Sequence, residues 1–167
     1  MNIETLPDVA ALFLGTWTLQ SFTEISSDGS CVEPMGRSPQ GFLLYTKEGI
    51  VSAQLTGFED RSKEVSSKET GRSGGNGNSE NAVPYIGYCG TFRMNVELGE
   101  VVHIPIVAHD RSLVGRALHR KFRFSGERLI LTTSTDEARK DPIESRLVWC
   151  RHHRVQLADP PRSATRE

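Results

Sequence analysis

GTWTLQS, Gly15–Ser21, places a glycine two residues ahead of a tryptophan at the head of a strand-like run. Tryptophan is too large to be placed idly, and a glycine beside it lets backbone bend or pack closely. The pair has two readings. The indole plugs a core, or it forms the closed floor of a barrel that holds something.

The rest of the chain reads as more strands. β-Branched and aromatic residues dominate Thr16–Phe22, Gly41–Thr46, Ile50–Leu55, Tyr85–Val96, Val101–His109, Ala117–Phe124, Arg128–Thr133 and Arg146–His152. Turn signals separate several of them: Asp28-Gly29, Lys47-Glu48-Gly49, Glu97-Leu98-Gly99 and Ser125-Gly126. Short connections make neighbouring strands antiparallel. The expected fold is all-β, an eight-stranded antiparallel up-and-down β-barrel, because closure removes exposed edges. A barrel of eight strands fills itself with side chains or holds one small ligand. Thr5–Leu14 suits a short N-terminal helix, with Pro7 in its first turn. Such a helix would cover the bottom of the barrel.

The 167 residues make one domain, expected over 1–157, with a polar tail at 158–167. Glu59–Val83 is rich in glycine, serine and charge and lacks apolar periodicity. It reads as a flexible inserted loop, either a lid or an insertion without a role. Twenty basic against 21 acidic residues give a net charge of −1, which argues against nucleic acid as the main partner. Val9–Leu14 is too short an apolar run to span a membrane, and no basic region precedes it. Cys31, Cys89 and Cys150 are odd in number, far apart and without a Cys-x-x-Cys spacing, which fits reduced thiols in a cytoplasmic protein. His103 and His109 are six apart, about 20 Å along a strand, too far to share a metal. No phosphate-loop, calcium-loop, Gly-x-Ser-x-Gly or His-Glu-x-x-His pattern occurs. Neither a metal nor a cofactor is expected.

Several stretches taken in order resemble the lipocalin-like domain family: GTWTLQSF, GRSPQGFLLYTKEGIVSAQL, YIGYCGTFRMNVELGEVVHIPI, ERLILTTS and SRLVWCR. Their likeness runs from about Leu12 to His153. It implies that Trp17 packs across the closed end against Arg151, both as structural residues; a guanidinium can stack on indole and bond backbone carbonyls. The resemblance also implies a small hydrophobic ligand. Some barrels of this kind serve as isomerases or cyclases in natural-product pathways.

Strand alternation gives each run two faces. In Val101–His109 one face holds Val101, His103, Pro105, Val107 and His109, and the other Val102, Ile104, Ile106 and Ala108. The family carries its histidine on the apolar face, with polar residues alternating. Here Ile104 and Ile106 make both faces apolar, so either that face is the core or another copy of the chain covers it, giving a homodimer. His103 is the sharpest acid–base candidate, against the reading of a satisfied core histidine. Arg120 sits between Leu118 and Phe122, where an unpaired charge is costly. It is an oxyanion anchor or a side chain snorkelling at the rim. Tyr88 is the third catalytic candidate. Tyr45, Ser52, Gln54, Phe92, Leu118, Phe122 and Trp149 are candidate ligand contacts, and Gly90 beside Tyr88 is expected to open space. Three functions remain. One is a cofactor-free isomerase or cyclase acting on a polyketide or terpenoid. The second is a carrier for a hydrophobic molecule. The third is a filled barrel whose outer face meets a partner.

Overall fold

Strands make up most of the described residues. The computed structural model describes residues 9–57, 84–134 and 143–153. A short helix, α1 (Val9–Phe13), leads into β1 (Gly15–Ser26), β2 (Cys31–Val32), β3 (Gln40–Tyr45), β4 (Ile50–Thr56), β5 (Tyr85–Asn95), β6 (Glu100–Ala108), β7 (Leu118–Ser125), β8 (Arg128–Ser134) and β9 (Ile143–Arg151). Every pairing is antiparallel. β3 to β9 follow in sequence order, and β1 joins both β3 and β9, which closes an eight-stranded barrel. The two-residue β2 is an extra strand on the outer half of β1. The inserted segment at 59–83, the tail at 158–167 and the first residues of the expected helix lie outside the described residues.

The barrel has a closed end, where β1 begins. Phe13 of α1 is fully buried there, edge-on to Tyr45, Phe122 and Phe124 at ring-centre distances of 5.1, 4.8 and 5.1 Å. Trp17 Nε1–H donates to the Phe13 carbonyl at 2.9 Å. Arg151 lies over the Trp17 ring at 4.1 Å and donates to the carbonyls of Leu14 at 3.0 Å and Leu12 at 2.6 Å. Those carbonyls end the helix and have no partner within it, so the guanidinium caps them while stacking on the indole. Gly15 takes φ +116°, a conformation side-chain-bearing residues rarely adopt, and turns the chain from helix to strand. The glycine makes the bend and the tryptophan holds the floor.

Two irregularities decide which residues face inward. β1 slips register between Leu19 and Ser21 against β9, with Gln20 as the extra residue. Trp17 and Leu19 point in before the bulge, and Phe22 is buried after it. β6 slips against β5 at Ile106, between the pairs Gly90–Pro105 and Cys89–Val107. Val101, His103 and Pro105 are buried on its inner face, while Ile106 and Val107 are each 61% exposed and Ala108 packs on the core. The end of the long apolar run of β6 thus reflects a bulge between two inward stretches. Gly90 sits at the same bulge. A Cβ there would lie 2.0 Å from the Ile104 carbonyl oxygen, so this glycine permits close strand approach instead of opening space as expected.

Replacing Trp17 by Ala should cost about 3–5 kcal/mol, the loss for a large buried aromatic. Arg151→Lys keeps the charge but forfeits a bond to one helix carbonyl, and should cost about 1.5–3 kcal/mol. Urea unfolding followed by circular dichroism measures both; a wild-type midpoint in either variant would remove the floor from this account.

Candidate functional site

Toward the open end the inner faces stand apart around a cavity of about 250 Å³. Its wall is largely aliphatic and aromatic, including Phe22, Leu43, Leu55, Leu131 and Trp149. Four polar residues on adjoining strands form a belt: Glu24 pairs with Ser145 across β1 and β9, Ser145 with Thr133 across β9 and β8, and Arg120 follows on β7, one residue beyond the Lys121–Thr132 pair. All four line the cavity. Ser145 Oγ–H donates weakly to Glu24 at 3.5 Å.

His103 is wholly buried. Its Nε2 lies 2.7 Å from the Tyr45 hydroxyl and its Nδ1 2.7 Å from the Tyr88 hydroxyl. Burial, reinforced by the positive charge of Arg120, holds the imidazole well below the usual histidine range. Burial also raises both phenols, Tyr45 strongly; the Tyr88 shift is opposed by Arg120. The ring is therefore neutral, with one N–H and one lone pair. It accepts a hydrogen bond from one tyrosine and donates one to the other. Tyr45 is buried against Phe13 and Phe92 and has no second hydrogen-bond partner among the described residues. Leaving its proton without an acceptor would cost about 1–3 kcal/mol. Tyr45 O–H thus donates to Nε2, Nδ1–H donates to Tyr88, and the Tyr88 proton is left to point elsewhere. Tyr88 lines the cavity and Tyr45 does not appear in its wall.

Arg120 donates from one nitrogen to the Leu118 carbonyl at 3.2 Å, and its guanidinium carbon lies 6.0 Å from the Tyr88 ring centre. No carboxylate lies within 4 Å of it among the described residues. Its remaining donors stand free beside the Tyr88 phenol.

The cavity thus brings together His103, Arg120, Tyr88 and Trp149. Phe92, Leu118 and Phe122 are part-buried and pack on the core outside the cavity wall. Ser52 and Gln54 are a correction. Val51, Ala53 and Leu55 take the inner face of β4, so these two polar residues lie on the outer face, where Gln54 accepts from the Tyr85 hydroxyl. Glu24, Ser145 and Thr133 went unread in the sequence. Simple alternation from Trp17 puts Glu24 outside, and only the bulge at Gln20 turns it in. Among the described residues no three His, Cys, Asp or Glu side chains cluster as metal ligands, and no helix is long and apolar enough to cross a membrane.

Because the fold keeps His103 neutral while the unfolded chain protonates it near pH 6.5, the unfolded state binds the extra proton below that pH. Stability is full above pH 6.5 and falls as pH drops, by at most about 1.4 kcal/mol per pH unit for this one group. His103→Gln should flatten the slope between pH 7 and 5 in urea titrations, and an unchanged slope would mean that the imidazole is not held neutral.

Neither a curated protein nor a solved structure matches the chain. The sequence pattern of the lipocalin-like domain matches residues 14–152, from the residue before Gly15 to the one after Arg151. A stretch that spans all eight barrel strands and includes both residues of the closed end places this chain in the lipocalin-like domain family.

Proposed function

We propose that the barrel is a cofactor-free isomerase or cyclase for a small, mostly apolar metabolite of polyketide or terpenoid type. The carrying observation is the buried chain Tyr45–His103–Tyr88, which leaves one O–H at the edge of a largely apolar cavity. A lipocalin-like barrel suits small hydrophobic ligands in general, and this chain of groups adds acid–base chemistry. Tyr88 donates to a ligand oxygen, and Arg120 stabilises negative charge as it develops there. Glu24, in the polar belt, takes a proton from a ligand carbon conjugated with that oxygen and returns it to another carbon. The ligand leaves with its mass unchanged, and each residue ends in the protonation state in which it began. His103 acts through Tyr88 as a positioning residue, since both its nitrogens are occupied.

A carrier is the second reading. It is favoured by the same occupancy: a histidine held neutral and bonded on both sides is not itself a free base. Three cysteines without a disulfide support a reducing, cytoplasmic setting.

Incubated with a small-molecule extract of its own cells, the protein should convert one retained species into another of equal mass and different retention time. Tyr88→Phe should slow conversion at least about 100-fold while the ligand still co-migrates in native mass spectrometry. Retention without conversion would leave the carrier. No ligand retained across preparations would sink both readings. The reading also includes a homodimer through the exposed Ile106 and Val107. Native mass spectrometry should show a dimer that Ile106→Lys dissociates; a wild-type monomer at tens of micromolar would reject it.

A further inference from the structure

The Trp149 indole is 1% exposed and lines the cavity, and its Nε1–H is a buried donor with no hydrogen-bond partner among the described residues. A buried N–H without an acceptor costs about 1–3 kcal/mol, and native structures seldom leave one without a purpose. It is joined by the unspent proton of Tyr88 and the free donors of Arg120. Three side chains that line one small cavity therefore carry donors that no described residue satisfies. The acceptors in the wall are Glu24, Ser145 and Thr133, in the polar belt that Arg120 shares. Along β9, Trp149 stands four residues below Ser145, about 13 Å of strand toward the closed end.

From these positions we propose that the natural ligand enters with a carbonyl-type oxygen leading, a ketone or its enolate on a one- or two-ring apolar body, and that Trp149 Nε1–H and Tyr88 O–H bind oxygen acceptors on that buried end. The size follows from the cavity. Its volume of about 250 Å³ lies just below the range of about 300–1,000 Å³ typical of sites for drug-sized molecules. The polarity follows from the donors. A hydrocarbon would leave Trp149 and Tyr88 unsatisfied, and a ligand with a donor at its leading end would meet only further donors. The carboxylate at Glu24 and the guanidinium at Arg120 share the belt, so the wall does not favour a strongly anionic ligand. This assignment rests on the reading of the cavity as a ligand site.

Tetralin and α-tetralone are matched probes, the same two-ring skeleton without and with a carbonyl oxygen. Isothermal titration calorimetry on the full chain should find α-tetralone bound about ten- to a hundredfold more tightly than tetralin. Tyr88→Phe and Trp149→Phe should each bring α-tetralone down toward tetralin while leaving tetralin unchanged. Tyr88→Phe keeps the ring that packs in the wall, so it remains decisive if Trp149→Phe melts early. Equal binding of the two probes by wild type, or equal weakening of both in the variants, would overturn the carbonyl assignment while leaving a ligand-binding lumen. Failure of both probes to bind would overturn the lumenal reading together with it.

Discussion

The guanidinium of Arg151 is the part on which the rest depends. It lies on Trp17, caps the carbonyls of Leu12 and Leu14, and so ties the last strand to the first strand and to the helix beneath them. One charged group does three things there. It closes the barrel seam, it satisfies helix acceptors that burial would otherwise leave bare, and it seals one end against water. With that end sealed by Phe13 and its three aromatic neighbours, the space above is a blind chamber. Polar groups in such a chamber act in a low effective dielectric, where an unpaired donor or charge matters far more than in water.

The chamber explains how a histidine and two tyrosines come to lie together in a core. Each brings a hydroxyl or ring nitrogen that must be bonded if buried, and the three bond one another end to end. No charge need form, so no desolvation cost arises of the kind that penalises buried ion pairs. Among the described residues, Arg120 is the cation that acts on this chain of groups. It keeps a carbonyl oxygen from Leu118 and a place by the Tyr88 ring. Its charge pushes the imidazole further toward neutrality, which keeps one ring nitrogen an acceptor.

Much of this architecture was legible in the sequence, and the losses have a common cause. Trp17 and Arg151 follow from the family likeness and the strand runs from alternation, while the inward face of β6, and with it His103, stayed open in the sequence. Alternation fails where a strand gains a residue. The bulge at Gln20 turns Phe22 and Glu24 inward, and the bulge at Ile106 puts Val107 out and Ala108 in; neither carries a glycine or proline at the extra position to announce it. In β6 the second bulge accounts for the end of the apolar run, while Val102 and Ile104 ahead of it lie on the outer face. Ser52 and Gln54 failed for another reason. Two polar residues on one face suggested a polar lumen, but Val51, Ala53 and Leu55 on the other face fill the interior, and burial of apolar area outweighs any preference of an amide or hydroxyl for the inside.

Proton bookkeeping limits what such a chain of groups can do. If Tyr88 gave its proton away for good, the deficit would stay at Tyr88, beside Arg120, because Tyr45, buried among Phe13 and Phe92, is the harder phenol to ionise. The chain can lend a hydrogen bond or a proton, but it cannot end a cycle one proton short. A proton given up for good would have to be replaced from outside the chain of groups, since the buried Tyr45 end is the harder one to ionise. A reaction that returns each proton to the molecule it came from carries no such demand. That asymmetry, set by the burial of Tyr45 as much as by anything at the cavity wall, fits the proposed isomerisation or ring closure, in which each proton returns to the molecule it came from.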